Sequence, residues 1–287
     1  MRVRSNKYPD DNSKYTDTTY FDPNDKYLDI GFQRLKLLNL KKYPELSILT
    51  KLFVDHNNLT SLPDPSLVPN LTELTAHYNH LKNIPFYPNL TYLNLSHNFF
   101  SSLPTSYNNH HCLIHLDCSH NPSFIFDINL RSLKHLYINN CNLTNLPFNL
   151  IPSIEVLDCR ENNLQSLDNS LTLTEINFSD NSIQTLRLWP QIIHMTADNN
   201  KITILESFPL VKDISICCNL LSIVKTSPQL KKLIASDNQI TQLNILPQIQ
   251  LLDLSNNLLK EIKLDSNIIY VSVQFNSINT IVLSDHC

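Results

Sequence analysis

Side chains that bind metal ions recur in the middle of the chain, at His115, Asp117, His120 and His135. Imidazole nitrogens and carboxylate oxygens are ligands of Zn²⁺. On adjacent strands, side chains two residues apart or directly opposite come within reach of one ion. A zinc site is therefore one hypothesis. Histidines that face solvent on a polar strand explain the same pattern, and we favour that interpretation.

Serine precedes histidine twice, at Ser96–His97 and Ser119–His120. Asp55 and Asp117 are expected nearby and would supply the carboxylate of a Ser–His–Asp arrangement. Nucleophilic catalysis needs a Ser–His hydrogen bond and an oxyanion hole. On an open sheet the backbone N–H groups stay in the ladder and the site stays wet. We therefore expect no enzyme activity, no catalytic residue, no metal and no cofactor.

Glycine is nearly absent, since Gly31 is the single one among 287 residues. Phosphate-binding loops, dinucleotide-binding turns, nucleophile elbows and EF-hands all require glycine for positive φ or close backbone approach. These classes of site are excluded. The net charge of -4 also gives no support for nucleic-acid binding, which usually shows a basic surplus.

An internal repeat extends over most of the chain. Apolar residues occupy positions one, four, six, eleven and fourteen of twelve copies, spaced 19–23 residues apart, and Ser123 is the one exception among sixty slots. The ninth position is Asn in eleven copies and Cys141 in the other. The copies begin at Leu49, Leu71, Leu90, Leu113, Leu133, Ile154, Leu173, Ile192, Val211, Leu230, Ile249 and Ile268.

This pattern resembles the leucine-rich repeat family, whose signature is LxxLxLxx(N/C)xL, and the short repeats are similar to those of bacterial effector proteins. The resemblance implies an α/β-type solenoid, a horseshoe with a parallel concave β-sheet. Because one repeat cannot bury its apolar residues alone, neighbours must stack. We expect residues three to seven of each copy to form a strand and the Asn to be buried at its end. Prolines in the return stretch predict a mostly extended, helix-poor convex side.

The repeats divide the chain into four parts. We expect a flexible polar tail over 1–27, a degenerate N-terminal capping turn over 28–48, the twelve repeats over 49–281 and a short end over 282–287. The stretch 104–111 is interpreted as a convex-side insertion. No polar cap follows the last repeat, so we expect self-association through that end.

The resemblance also implies that a partner protein binds the concave face, formed by positions three, five, seven and eight. The first five repeats place aromatic and His side chains there, as interface hot spots do. Repeats six to eleven place eight acids against two bases there, which predicts a partner with a basic patch. An alternative is that polar strand positions serve solubility alone. The candidate partner-binding residues are Phe53, His77, Tyr78, Tyr92, His97, His115, Asp117, His135, Tyr137, Asp158, Arg160, Asp198, Asp213, Asp237 and Asp253.

Compartment and biological role are less constrained by the sequence. No signal peptide or transmembrane segment is recognisable, and seven scattered cysteines argue against a disulfide framework. We therefore expect a cytoplasmic protein, in the producing cell or in a host cell, that binds neither membranes nor nucleic acid.

Thirty-six Asn against one Gly and three Ala indicate an AT-rich genome, such as that of a large DNA virus, an intracellular bacterium or a protist. The main interpretation is a non-catalytic protein-interaction module. One alternative is a pathogen or viral effector that engages a host signalling or ubiquitin-pathway protein. The others are a metal-dependent or hydrolytic enzyme on the His-rich strands and a structural spacer. Partner, organism, pathway and oligomeric state are left open.

Overall fold

The computed structural model describes residues 26–40, 44–225, 227–244, 247–264 and 267–283. It is a solenoid of stacked coils, and each coil contributes one short strand to a common parallel sheet. The predicted leucine-rich repeat solenoid is therefore confirmed. Residues 1–25 of the predicted tail, residues 41–43 of the predicted cap and the last four residues lie outside the described ranges, whereas Tyr27 of the predicted tail begins the first strand.

Thirteen strands form the main sheet, in chain order and all parallel. Twelve of them begin at the third position of a predicted repeat, and one precedes the first repeat. The strands of this sheet are β1 Tyr27–Asp29, β2 Lys51–Phe53, β3 Glu73–Thr75, β4 Tyr92–Asn94, β5 His115–Asp117, β6 His135–Tyr137, β7 Val156–Asp158, β8 Glu175–Asn177, β9 His194–Thr196, β11 Asp213–Ser215, β13 Lys232–Ile234, β14 Leu251–Asp253 and β16 Tyr270–Ser272.

The convex side is mostly extended, as the prolines predict. In the described ranges it carries two small parallel sheets, one of β10 Ile204–Leu205 with β12 Ile223–Val224 and one of β15 Glu261–Leu264 with β17 Thr280–Leu283. The helices described are 3-10 turns of three to five residues, so none of them is long enough to cross a membrane. Their bounds are Pro44–Ile48, Pro65–Leu67, Thr105–Tyr107 and Phe148–Leu150.

The core is one continuous column of apolar slots. The middle residue of each short strand points inward, and Leu52, Leu74 and Leu93 are fully buried. The one polar exception in the pattern, Ser123, is exposed, and Phe124 is buried in its place. Repeat four therefore has one extra residue after its asparagine, which shifts the eleventh slot by one position.

Asparagine at the ninth position ties each coil to the coil before it. The Nδ2 of Asn200 donates to the Phe178 carbonyl of the preceding coil at 3.0 Å and to Ala197 and Asp198 at 3.3 and 3.1 Å. Its Oδ1 accepts from the Ile183 amide of the preceding coil at 3.0 Å. The amide group thus satisfies backbone groups that the turn leaves buried without partners.

Cysteine replaces asparagine only at Cys141, beside the extra residue of repeat four. Its thiol lies 3.2 Å from the Cys118 carbonyl, so the donor function is kept. A thiol is a poor acceptor and cannot hold a backbone amide as an asparagine oxygen does. The missing acceptor at Cys141 therefore coincides with the irregular turn in the coil before it, repeat four.

The strands are shorter than predicted, spanning positions three to five instead of three to seven. The eighth position is the reason, because in all twelve copies it has φ between 52° and 56°. None of these residues is glycine, and a left-handed residue of another type costs about 1 kcal/mol. The turn bends the chain sharply out of the sheet and leads directly into the buried asparagine.

The segment predicted as a convex insertion, 104–111, packs into the core. Tyr107 and His110 are buried, and the Tyr107 hydroxyl donates to the Pro85 carbonyl at 2.9 Å. The imidazole of His110 donates from Nε2 to the Tyr87 carbonyl at 2.9 Å. Its Nδ1 accepts from the Leu113 amide at 3.2 Å, so the ring is held in its neutral form.

We predict that Asn200→Ala lowers the free energy of unfolding by about 2–4 kcal/mol, because buried amide and carbonyl groups lose their partner. Urea denaturation followed by circular dichroism measures this change. Asn163→Ala, at an exposed asparagine side chain, is the matched control and should change stability by less than about 0.5 kcal/mol. Equal small losses in both variants would contradict the structural role of the asparagine ladder.

We also predict that stability falls as the pH drops below about 6.5, the ordinary pKa of histidine. Burial lowers the pKa of His110, opposed in part by the Tyr87 carbonyl, so the unfolded chain takes up a proton before the folded chain does. Ser170 precedes the start of repeat seven by three residues, as His110 precedes that of repeat four, and its hydroxyl accepts from the Leu173 amide at 3.2 Å without titrating.

His110→Ser should therefore retain the acceptor and reduce the loss of stability between pH 7.5 and 5.5. The measurement is the urea midpoint at each pH, for both proteins. A slope unchanged by the substitution would show that His110 does not cause the pH dependence.

Candidate functional site

All fifteen predicted partner-binding residues lie on the concave sheet or on the turn that follows it, and all are half-buried or exposed. The short strands place positions three and five outward, on either side of a buried middle residue. Position seven is less exposed than predicted, because Ser96, Ser119 and Ser179 are buried there. The face is thus an open sheet in which the row of residues at position seven is partly buried.

A column of five stacked rings follows the edge of the sheet at the eighth position, and we call it the edge stack. Its members are Phe32, His56, Tyr78, His97 and His120. Successive ring centroids lie 4.1, 4.5, 3.9 and 4.0 Å apart, with interplanar angles of 10–22°. Because each residue has the same left-handed backbone and adjacent strands lie about 4.8 Å apart, the rings must overlap.

Phe32 belongs to this column although it precedes the first predicted repeat. Leu28, Ile30 and Leu35 occupy the fourth, sixth and eleventh positions of a degenerate repeat, with Gln33 at the ninth position. Leu28 and Ile30 are buried, and Phe32 has φ of 59°. This spacing is visible in the sequence and could have identified Phe32 as the start of the edge stack.

A second group of rings lies on the strands themselves. Tyr92 stacks on His115 at 4.2 Å, and His115 lies 5.8 Å from His135 and 5.1 Å from Tyr137. We call these four residues the strand stack. Phe53 lies apart from it, with its ring 6.5 Å from that of Tyr27.

Burial lowers the pKa of His77, His97 and His115. Neighbouring histidines lower it further, and the nearby carboxylate of Asp117 opposes both effects at all three rings. These imidazoles are therefore neutral near pH 7. They offer ring edges and hydrogen-bonding tips instead of positive charge.

Four of the predicted acidic residues accept hydrogen bonds from backbone amides of turns. Asp117, Asp158 and Asp253 accept from the amides of Ser119, Arg160 and Ser255 at 2.9, 3.3 and 2.9 Å. Asp198 accepts from the Cys217 amide of the next coil at 2.7 Å. Short aspartate side chains commonly bond to backbone groups two residues on. These acids thus have a structural role that the sequence analysis did not assign to them.

Other acids project further into solvent. Asp180 and Asp237 each accept from an asparagine of the next coil, Asn199 and Asn256 respectively. Asp213 pairs with His194, with 2.7 Å between Oδ2 and Nδ1. The acidic half of the face is therefore a mixture of turn-forming and exposed carboxylates.

Neither serine considered for catalysis makes a hydrogen bond to a histidine in the described part of the chain. The Ser96 hydroxyl donates to Asn94 Oδ1 at 2.8 Å, and Ser119 Oγ is buried with no hydrogen-bond partner in the described part of the chain. Burial raises the pKa of Cys217 and Cys218, so neither thiol is activated. Of the predicted zinc set, His115 and His135 serve mainly as stacked rings.

The three side chains that do bring ligand atoms together lie elsewhere, in the first two repeats. Within the described ranges, Asp55, His56 and His77 place one potential ligand atom each within 4.8 Å of the others. Neither Asp55 nor His56 was among the predicted partner-binding residues. Their proximity depends on the alignment of two coils, which spacing alone does not reveal.

Comparisons with known proteins agree with this architecture. The model of the Leucine Rich Repeat family matches residues 89–109 and 132–154. A leucine-rich repeat protein of Acanthamoeba polyphaga mimivirus is 42% identical over 177 residues, which cover 62% of this chain. The chain spans 42% of the length of that viral relative.

Solved structures show the same fold at low sequence identity. The functional domain of InlJ from Listeria monocytogenes superposes with a TM-score of 0.74 at 21% identity, covering 88% of this chain and 64% of that one. The internalin InlF from the same species gives 0.67 at 17% identity, covering 91% and 87%. The Arabidopsis receptor kinase HAESA, solved with a peptide hormone and a co-receptor, gives 0.61 at 22%, covering 90% and 52%. With its repeat pattern, asparagine ladder and parallel sheet, the chain is a leucine-rich repeat protein.

Proposed function

We propose that this chain binds a partner protein on its concave face and acts without catalysis. Leucine-rich repeat folds are commonly protein-interaction modules, and the HAESA neighbour was solved in complex with other proteins. The observation that carries the proposal is the pair of ring stacks on an open face. Rings held by stacking lose little side-chain freedom on binding, and Tyr is enriched among interface hot spots.

The exposed acids of the second half complement this contact. Glu175, Asp180 and Asp237 are exposed on or beside the sheet. Charges at the rim of an interface mainly affect association rate and salt dependence. We propose a partner that inserts side chains among the rings of repeats one to five and brings basic residues to repeats six to eleven.

Removing the strand stack should abolish partner capture. We predict that the triple variant Tyr92→Ala, His115→Ala, Tyr137→Ala loses proteins that the wild type retains from cell lysate, as identified by mass spectrometry. His80 and Phe99 form the matched control, because they are an exposed ring pair, 5.8 Å apart, that lies beyond the asparagine ladder. The concave-face proposal is rejected if the triple variant still captures the partner. It is also rejected if the control variant His80→Ala, Phe99→Ala loses the partner to the same extent.

Charge reversal should weaken the same complex in a salt-dependent way. We predict that Glu175→Lys, Asp180→Lys, Asp237→Lys raises the Kd for the captured partner by about tenfold or more at low salt. The effect should shrink as NaCl is raised. These acids are chosen because Asp158, Asp198 and Asp253 bond to backbone amides, and changing those would disturb the turns.

The matched control reverses three acids of the return stretches, Asp127, Glu206 and Glu261. Calorimetry or surface plasmon resonance at several salt concentrations provides the measurement. Equal effects of both reversals would indicate nonspecific charge attraction. A Kd independent of salt would reject the acidic half as a contact.

The effector interpretation, the cytoplasmic location and self-association through the C-terminal end stay predictions. The last repeat does expose apolar side chains in its described part. Ile269 and Phe275 are 83% and 82% exposed.

A further inference from the structure

We propose that Asp55, His56 and His77 form a binding site for a divalent transition metal of the zinc class. The site lies at the N-terminal end of the concave face, beside the edge stack. Asp55 Oδ2 is 3.1 Å from His56 Nδ1 and 3.9 Å from His77 Nε2. Imidazole and carboxylate together are a donor set that suits Zn²⁺ and its neighbours in the first transition row.

The separations match what one ion requires. Ligand atoms about 2.0–2.1 Å from a tetrahedral zinc lie about 3.3 Å from one another. The three candidate atoms all lie within 4.8 Å of each other. His77 Nε2, at 3.9 Å from Asp55 Oδ2, is farther away than a tetrahedral site requires, so binding of an ion would need this ring to move toward the carboxylate.

Two of the ligands are held in place by neighbours outside the triad. Thr75 Oγ1 donates to Asp55 Oδ1 at 3.3 Å, which leaves Oδ2 directed at the imidazoles. The ring of His56 is stacked between Phe32 and Tyr78, with centroids 4.1 and 4.5 Å away. Such outer contacts fix the orientation of metal ligands and typically affect metal affinity by 10- to 100-fold.

The third proposed ligand is His77, whose ring is not fully hydrogen-bonded within the described part of the chain. His77 Nδ1 is buried with no hydrogen-bond partner in the described part of the chain, and Nε2 lies beyond hydrogen-bond distance from Asp55. Buried polar groups are almost always partnered, so an idle imidazole beside a carboxylate is unusual. Coordination of an ion would use Nε2, the nitrogen that faces Asp55, and would leave Nδ1 to carry the ring proton.

The single glycine keeps the carboxylate accessible. A Cβ at Gly31 would lie 3.1 Å from Asp55 Oδ2 and 3.4 Å from the Asp55 carbonyl oxygen. Any side chain there would crowd the proposed ligand atom. The side chains of the triad are 17–34% exposed, so an ion can enter from the open face, and its fourth ligand is water or a donor from another molecule.

Titration with the metal alone tests the site independently of any partner protein. Isothermal calorimetry with Zn²⁺ should show one saturable site in the full chain, and Co²⁺ should give the visible absorption of a tetrahedral nitrogen–oxygen site. His77→Gln and Asp55→Asn should each weaken binding by at least about tenfold, and Thr75→Val should weaken it less. Circular dichroism establishes that each variant remains folded.

Two controls separate this site from other donors. His115→Ala removes a ligand of the set suggested by spacing alone and should leave the affinity unchanged. Cys217→Ser, Cys218→Ser removes the vicinal thiols and should also have no effect. The proposal is overturned if Zn²⁺ shows no saturable binding, or if binding survives His77→Gln and is lost with His115 or the cysteines.

Discussion

The asparagine ladder is the interaction on which the other features of this solenoid depend. Each ladder amide bonds to its own coil and to the coil before it, so neighbouring coils can have only one vertical register. The chain must turn sharply to deliver that amide to the interior, and the left-handed eighth residue makes the turn. Twelve such residues each cost about 1 kcal/mol, which is comparable to the net gain from one hydrogen bond. The fold tolerates this cost because the same turn lets each coil bury its apolar slots.

The regular arrangement of side chains on the concave face follows from this constraint. Side chains at the eighth position start from the same backbone conformation in every coil, one strand spacing apart. Where they are aromatic or His they overlap as the edge stack, and where they are Asn, Asp or Glu they bond across coils, as Asn140 does with Glu161. A face of this kind is held in place by its own contacts. A partner that binds there as proposed would meet preorganised side chains.

Much of the fold could be predicted from the period of the apolar residues and Asn, because each copy repeats the same local requirement. The positions that were misjudged are those where a neighbouring coil decides the outcome. Ser123 breaks the pattern because an extra residue shifts Phe124 into the slot. Burial of His110 is tolerated because the carbonyl of Tyr87, one coil earlier, accepts a hydrogen bond from its ring N–H. Asp198 holds the Cys217 amide of the next coil, a structural role that spacing alone does not reveal, and its contact with a partner stays a prediction.

By itself, the sequence determined the solenoid, the parallel concave sheet, the helix-poor return side and the set of residues that face the sheet. These depend on local spacing within one copy, and twelve copies repeat it. Tertiary structure alone decided which side chains meet. Tyr92 stacks on His115, and His77 approaches Asp55, across coils about twenty residues apart in the chain. Their contact depends on coil-to-coil register and on the left-handed turn, and neither can be read from residue types without stacking the coils.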